Sequence, residues 1–296
     1  MNPSVLPASR PVMIPAKDPT RRFGVGYDVE PWRGCPFACI YCDALDAVAP
    51  DETLSDVTSR PDLAASFATE LFSKEPGTIV GFGRVFEPYP PQEEQARVTR
   101  SLLERIRDAG AGVVIVTKST LIAADADILK EIAKRAPAVV VMTVTTTNED
   151  VVKKLEPGCP TTLDRFRTLS RLSAEGILTG VLMQPIVPFI NDTEDNVVQI
   201  VRKAKDAGCR FVYPSFGMHL AGRSRDRFFD LIDREFPRLR NVYMDQFGER
   251  PSCQSKAAPA LKKAFVFECR RLKLGYGMGD IVRRIRPTSN VQMKLF

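Results

Sequence analysis

Histidine, tryptophan and long apolar segments are scarce in this sequence. It contains one histidine, His219, and one tryptophan among its 296 residues. No apolar run approaches the ~20 residues that a membrane-spanning helix needs, and the N-terminus lacks the charged-then-apolar pattern of a secretory signal. We therefore expect a cytoplasmic protein without a membrane partner.

The composition is that of a globular protein. Apolar residues make up 44% and charged residues 26% of the chain, which excludes a fibrous or wholly disordered protein. The net charge of +6 permits a polyanionic partner without requiring one. Positive charge is concentrated toward the C-terminus, in Lys256, Lys262, Lys263, Arg270, Arg271, Lys273, Arg283, Arg284 and Arg286. These residues form either a solvated face or a phosphate-binding surface.

The placement of the cysteines carries chemical information. Three of the seven cysteines fall within eight residues, at Cys35, Cys39 and Cys42. An odd number with this clustering disfavours a secreted disulfide framework and favours a reducing compartment in which thiolates bind metal. The other cysteines are widely scattered, and we expect most of them to be inert and buried: Cys159, Cys209, Cys253 and Cys269.

The apolar pattern divides the chain into three parts. Residues 1–22 are proline-rich and predict an extended arm, residues 23–216 a core, and residues 217–296 a helical, basic C-terminal extension. In the core, nearly continuous apolar runs predict parallel strands at 24–29, 78–82, 112–117, 138–145, 178–184 and 210–214. Amphipathic stretches predict helices at 62–73, 92–109, 123–134, 162–175 and 193–207. In the extension the pattern predicts helices at 223–235 and 259–272 and a strand at 241–244.

The repetition of strand and helix with short loops predicts an α/β fold. Six strands that are each followed by a helix form right-handed βα units. Such units curl into a partial (β/α)6 barrel of the TIM type, or lie side by side in a doubly wound open sheet. No internal repeat and no long linker divides the chain further.

The three clustered cysteines stand in the loop after the first predicted strand. Thiolates spaced by three and then two residues can bind three irons of a cubane cluster and leave the fourth iron open. A structural zinc site is the alternative, but it needs four Cys or His ligands, and His219 is distant in sequence. Coincidental burial of the three cysteines is a further alternative.

The cysteine motif resembles the signature of the radical S-adenosylmethionine (SAM) superfamily, with Tyr41 at the aromatic position before the third cysteine. Further segments are similar to the spore photoproduct lyase branch of that superfamily. They lie at 30–35, 117–119, 143–147, 155–157, 184–188 and 191–192. The resemblance covers about residues 26–216 and implies a barrel of the radical SAM kind.

This resemblance implies a [4Fe-4S] cluster on the three cysteines, with SAM bound at the open iron. A reduced donor of the ferredoxin or flavodoxin type would supply the electron that cleaves SAM to a 5′-deoxyadenosyl radical. The implied SAM-binding residues are Tyr41 near the adenine, Gly83 and Glu87 at the methionyl part, Lys118 with Thr143 or Thr145 at the carboxylate and ribose, and Gln184. Without the resemblance, the lysine is an ordinary strand-end residue, and packing or strand propensity accounts for the glycine, the tyrosine and the threonines.

One feature departs from the resemblance. Spore photoproduct lyases carry a hydrogen-donating cysteine near the end of the second strand, where this chain has Val-Phe-Glu-Pro at 85–88. Repair of spore photoproduct by that route is therefore not expected. Cys159, in the loop after the fourth predicted strand, is a candidate hydrogen donor instead.

The C-terminal peptide 291–296 resembles another kind of motif. It is similar to the short peptides with which bacterial DNA-processing proteins bind the replication sliding clamp. The alternative is that its apolar side chains fold back onto the barrel.

These observations predict a radical SAM enzyme that acts on a nucleic acid, or else on a peptide or a small metabolite. The alternative from another class is a non-catalytic, metal-stabilised nucleic-acid-binding protein. Release of 5′-deoxyadenosine from SAM distinguishes the two classes, because only the enzyme cleaves SAM.

Overall fold

The fold is a mostly parallel sheet whose strands follow one another in chain order. In a computed structural model that describes residues 11–286, the main sheet contains β1 (Ile14–Pro15), β2 (Tyr27–Val29), β3 (Ile79–Phe82), β4 (Gly112–Thr117), β5 (Ala138–Thr143), β6 (Leu178–Met183) and β7 (Phe211–Pro214). β1 pairs antiparallel with β2, and each later pair is parallel. A doubly wound sheet reverses its strand order at a switch point. The sequential order therefore confirms the predicted partial (β/α)6 barrel over β2–β7.

Helices alternate with these strands. In the described part of the barrel they are α1 (Leu63–Phe72), α2 (Glu93–Ala96), α3 (Val98–Ala109), α4 (Ala126–Ala133), α5 (Glu149–Leu155), α6 (Thr162–Ala174) and α7 (Glu194–Asp206). The helix predicted at 92–109 is divided in two, because Arg97 adopts a left-handed φ of 49°. The helix predicted at 123–134 is preceded by the 3-10 helix Thr120–Asp125.

The strands are buried on both faces, as their continuous apolar runs predict. In β5, Val140 and Met142 belong to the core between the sheet and the helices. Val139 and Val141 belong instead to the core inside the barrel. Successive side chains of a strand point to opposite faces, so one short valine-rich segment contributes to both cores.

The N-terminal end of the barrel is filled by apolar side chains. Phe23, just before β2, and Ile79, the first residue of β3, share the inner core with Ile281 and Ile285 of α11 (Met278–Ile285). All four side chains are buried. Access is left at the carboxyl ends of the strands, where the βα loops of a barrel gather reacting groups.

The C-terminal extension has a small sheet of its own. β8 (Gly217–His219) pairs antiparallel with β9 (Ser252–Gln254), and the other helices are α8 (Gly222–Glu235), α9 (Leu239–Phe247) and α10 (Ala258–Arg271). The strand predicted at 241–244 is wrong, since this segment lies in α9. Tyr243 and Phe247, one helical turn apart, pack with Phe228 of α8 in one apolar core.

The chain ends are described in part. From residue 11 onward the predicted arm contributes β1 and the 3-10 helix Pro19–Arg21, so it adds a strand to the edge of the sheet. The predicted clamp-binding peptide at 291–296 lies outside the described residues. No helix within residues 11–286 has both the length and the apolar content needed to cross a membrane.

Candidate active site at the carboxyl ends of the strands

A cleft of about 430 Å³ lies at the carboxyl ends of the barrel strands. Nine of the residues predicted from the sequence line it: Cys35, Cys39, Tyr41, Cys42, Gly83, Glu87, Lys118, Thr143 and Gln184. The C-terminal extension contributes part of the wall through β8 and β9, with Met218, His219, Ser252 and Gln254. The cleft is therefore built jointly by the barrel and the extension, across the boundary predicted at residue 216.

Backbone contacts shape the three-cysteine loop, residues 35–42. Gly34 precedes it with a φ of +90°, and a Cβ there would lie 2.6 Å from the carbonyl oxygen of Asp56, so the position requires glycine. Arg227 of α8 donates hydrogen bonds to the carbonyl oxygen of Cys39 at 2.8 Å and to that of the preceding residue at 3.2 Å. The extension thus holds the loop in place as well as lining the cleft.

The thiols differ in their surroundings. Burial raises the pKa of Cys35 to about 12 and also raises the pKa of Cys42. The pKa of Cys39 is lowered, because a hydrogen bond with Cys159 and the nearby charge of Lys118 outweigh burial. The Sγ atoms of Cys39 and Cys159 lie 3.6 Å apart. A fourth thiol therefore adjoins the loop, although Cys159 does not line the cleft.

Lys118 follows the last residue of β4 and contributes a cation to the cleft. Its Nζ lies 5.6 Å from the centre of the Tyr41 ring. Burial alone would lower the pKa of Lys118, but the negative charges of Cys39 and Glu156 outweigh burial and raise it. The side chain is therefore protonated at neutral pH and suited to a carboxylate ligand.

Glu87 forms hydrogen bonds with the residues at the end of β4. Its carboxylate accepts hydrogen bonds from the backbone N–H groups of Tyr89 and Lys118, both at 3.0 Å, and from the hydroxyl of Thr117. Both oxygens are thus bonded to the protein itself, and the predicted contact of Glu87 with the amino group of SAM stays a prediction.

A buried ion pair that sequence reasoning missed supports Tyr41. Nη2 of Arg165 lies 2.5 Å from Oε2 of Glu156, and both side chains are 0% exposed. Glu156 also accepts hydrogen bonds from the hydroxyls of Tyr41 and Thr145. Thr145 is therefore committed to this pair, whereas Thr143 lines the cleft. The Leu-Glu-Pro segment at 155–157 was a signal for the pair, but its cationic partner lies in the next helix.

The end of β3 brings a glycine and an arginine to the cleft. Gly83 adopts a φ of +79°, and a Cβ there would lie 2.0 Å from the carbonyl oxygen of Val116, so no larger residue fits. Arg84, which sequence reasoning did not single out, also lines the cleft. Its side chain is 46% exposed, and its Nε lies 3.7 Å from Oδ2 of Asp28, which Arg22 also contacts at 2.8 Å.

Comparison with known sequences identifies the family of this chain. Residues 29–234, more than half of the chain, match the Radical SAM superfamily. The chain belongs to the radical SAM superfamily. This radical SAM protein is 26% identical over 234 residues to an uncharacterised protein of Mycobacterium tuberculosis, a match that covers 76% of this chain and 68% of that protein.

Solved structures show the same fold. The radical SAM protein is similar to spore photoproduct lyase complexed with dinucleoside spore photoproduct, with a TM-score of 0.64 and 14% identity over 90% of this chain and 79% of that chain. A variant of that lyase with bound AdoMet and dinucleoside spore photoproduct gives a TM-score of 0.59 and 14% identity over 85% and 75% of the two chains. The predicted resemblance to the lyase is confirmed at the level of the fold, and the chain is an enzyme of this superfamily.

The cleft suits the cofactors that radical SAM enzymes generally use, SAM and a [4Fe-4S] cluster. Three thiols line it together, and thiolates are the usual ligands of iron–sulfur clusters. Within residues 11–286, no three His, Cys, Asp or Glu side chains surround one point as the ligands of a single metal ion do. His219, the histidine considered for a zinc site, also reaches the cleft.

Proposed function

We propose that this enzyme binds a [4Fe-4S] cluster through Cys35, Cys39 and Cys42, cleaves SAM reductively, and acts on a nucleic acid. The observation that carries the proposal is the single cleft shared by these thiols, the Lys118 ammonium and Thr143. When bound, the cluster and SAM supply one-electron chemistry that yields a 5′-deoxyadenosyl radical. We expect the electron to come from a reduced ferredoxin or flavodoxin.

The protein's own residues bind and orient the cofactor in this proposal. Lys118 offers a permanent cation to the SAM carboxylate, and Thr143 offers a hydroxyl at the adjoining strand end. Gly83 lets the backbone approach the ligand. The Tyr41 hydroxyl donates a hydrogen bond to Glu156, which fixes the orientation of the ring. The ring can then pack against the adenine.

The residues around the cofactor positions favour an anionic substrate. Arg84 lines the cleft and keeps 46% of its side chain exposed, with its Nε 3.7 Å from Oδ2 of Asp28. A guanidinium matches phosphate geometry through paired N–H donors. The similar lyase structure holds a dinucleoside photoproduct, which supports a nucleic-acid substrate for this enzyme.

Anaerobic cleavage of SAM tests the proposal. Reconstituted enzyme incubated with SAM and dithionite should release 5′-deoxyadenosine, measured by liquid chromatography. Cys35→Ala should lose both the brown cluster absorbance and the release, because one of three ligands is missing. Cys209→Ala is the matched control, since Cys209 is buried in the outer core, and it should keep both. Full activity of Cys35→Ala, or no release by fully loaded wild type, would overturn the proposal.

Binding of SAM can be separated from cluster loading. Lys118→Met retains the length of the side chain but removes its charge, so iron content should match wild type while SAM affinity falls at least tenfold. Equilibrium dialysis with labelled SAM measures the affinity, and iron analysis provides the control. An unchanged dissociation constant would remove Lys118 from the site.

A further inference from the structure

The outer surface of α10 is basic and carries an exposed aromatic ring. An open depression there is lined by Pro259, Lys262, Lys263, Val266, Phe267, Arg270 and Arg271. Phe267 is 67% exposed, more than any other large apolar side chain in residues 11–286. The opposite side of the helix is buried through Leu261, Phe265 and Cys269. We call Lys262, Lys263, Phe267, Arg270 and Arg271 the α10 face.

Helical spacing gathers the charges around the ring. Lys263, Phe267 and Arg271 are four residues apart, and residues at this spacing lie side by side on a helix surface. Arg270 stands one turn further along from the ring. The α10 face therefore has cations on both sides of one exposed aromatic ring. A basic surface that served only solubility would not require the exposed ring.

Within residues 11–286, the two lysines of the α10 face have no acidic partner, whereas Arg271 does. The nearby acid, Glu268, is 2% exposed and is already paired with Arg271 and Arg202, both at 2.6 Å. Among the described residues, no carboxylate oxygen lies within 4.0 Å of the nitrogen of Lys262 or Lys263. The depression contains no acidic lining residue. The face thus keeps a positive field for an external anion.

The position of α10 distinguishes two kinds of anionic partner, an acidic electron-donor protein and a long polyanion. The helix begins four residues after Gln254, which lines the cleft, and packs against α7. It ends near the opposite side of the barrel, because Gly275 pairs with Phe211 at the start of β7. At 1.5 Å per residue, the face leads away from the cleft over roughly 14 Å, from Lys262 to Arg271. An acidic electron donor must approach the cleft itself, whereas a long polyanion can extend along the helix.

We propose that the α10 face is a docking surface for single-stranded nucleic acid. The lysines and arginines contact successive phosphates, and Phe267 stacks on an unpaired base, the combination by which proteins bind single strands without sequence preference. The face does not belong to the cleft, so the proposal does not depend on SAM cleavage. It deepens the proposed function by giving the nucleic acid a path toward the cleft.

Fluorescence anisotropy tests this surface with the reconstituted full-length enzyme and a labelled oligothymidine of about 20 nucleotides. Lys262→Gln/Lys263→Gln should weaken binding about tenfold at low salt and reduce the slope of log affinity against log salt by about 1.4, which is 0.7 for each phosphate that a lysine no longer neutralises. The control Lys130→Gln/Lys134→Gln removes two exposed charges from α4 and its C-terminal end. It should change the affinity by less than about twofold and leave the salt slope unchanged.

The aromatic contribution is tested separately. Phe267→Ala should weaken binding at least fivefold with an unchanged salt slope, and Phe267→Trp should restore it, because stacking requires a ring and not a charge. Melting temperature and SAM cleavage without nucleic acid should match wild type in every variant. Equal losses in the α4 control, no effect of Phe267→Ala, tighter binding of duplex, or equally effective displacement by polyglutamate would each overturn the proposal.

Discussion

Removing one partner of the buried pair of Glu156 and Arg165 should strongly destabilise the protein. Arg165→Leu removes one partner of an ion pair whose atoms are 2.5 Å apart and whose side chains are 0% exposed. Glu156 then keeps only the nearby charge of Lys118, and the carbonyl oxygens of Thr143 and Pro160 lose their donor. Breaking a buried ion pair destabilises a protein by about 3–5 kcal/mol. At roughly 2 °C per kcal/mol for a chain of this size, the melting temperature should fall by about 6–10 °C.

A double-mutant cycle isolates the pairing itself. Glu156→Gln/Arg165→Leu removes both charges of the pair, so its loss should be smaller than the sum of the single losses by at least about 1 kcal/mol. Urea unfolding of the cluster-free protein, followed by circular dichroism, gives the free energies. Arg167→Leu is the control on the same helix, because its 3.3 Å pair with Asp164 is exposed and should contribute less than about 1 kcal/mol. Additive losses in the cycle would refute the reasoning.

Three further changes have defined outcomes. Gly83→Ala should destabilise the protein and weaken SAM binding, since its Cβ would lie 2.0 Å from the Val116 oxygen; normal SAM affinity by dialysis would contradict this. Arg227→Gln should lower iron incorporation with little change in melting temperature, because it loses the hydrogen bond to the Cys39 carbonyl; wild-type iron content would contradict this. Burial raises the pKa of Glu30 to about 7, so the folded state retains a proton that the unfolded state has released, and stability should fall as pH rises from about 5 to 7. Glu30→Gln should flatten that dependence in urea unfolding, and an unchanged slope would show that Glu30 is not its source.

The barrel was predictable because its strands are buried on both faces. The runs at 112–117 and 138–143 are apolar at nearly every position, which is typical of a strand covered on both faces, and their alternation with amphipathic segments indicates parallel pairing. The misassigned segment 241–244 is different. Val242 and Tyr243 favour a strand locally, but the four-residue spacing of Tyr243 and Phe247 allows α9 to bury both aromatic rings against α8, and this packing outweighs local propensity.

The candidate site was predictable only where a motif lies within one segment. The cysteine spacing placed three thiols in one loop, and the cleft contains all three. Interactions between distant segments left no such local pattern. Arg165 lies 9 positions after Glu156, and its neighbours in sequence are those of an exposed helical residue. Arg227 bonds to the carbonyl of Cys39 although the two residues are 188 positions apart. The β8–β9 pair likewise joins short segments more than 30 residues apart, so no turn signal marks it.

The anchoring of the cysteine loop by the last quarter of the chain has a consequence for biosynthesis. Phe37 and Ile40 share an apolar core with Phe228 and Phe229 of α8. During translation the loop emerges long before α8, so it lacks this packing and the hydrogen bonds of Arg227 until that helix has been made and docked. A polypeptide stopped at residue 216 would keep the cysteine motif yet leave these apolar side chains uncovered, as a target for chaperones and proteases.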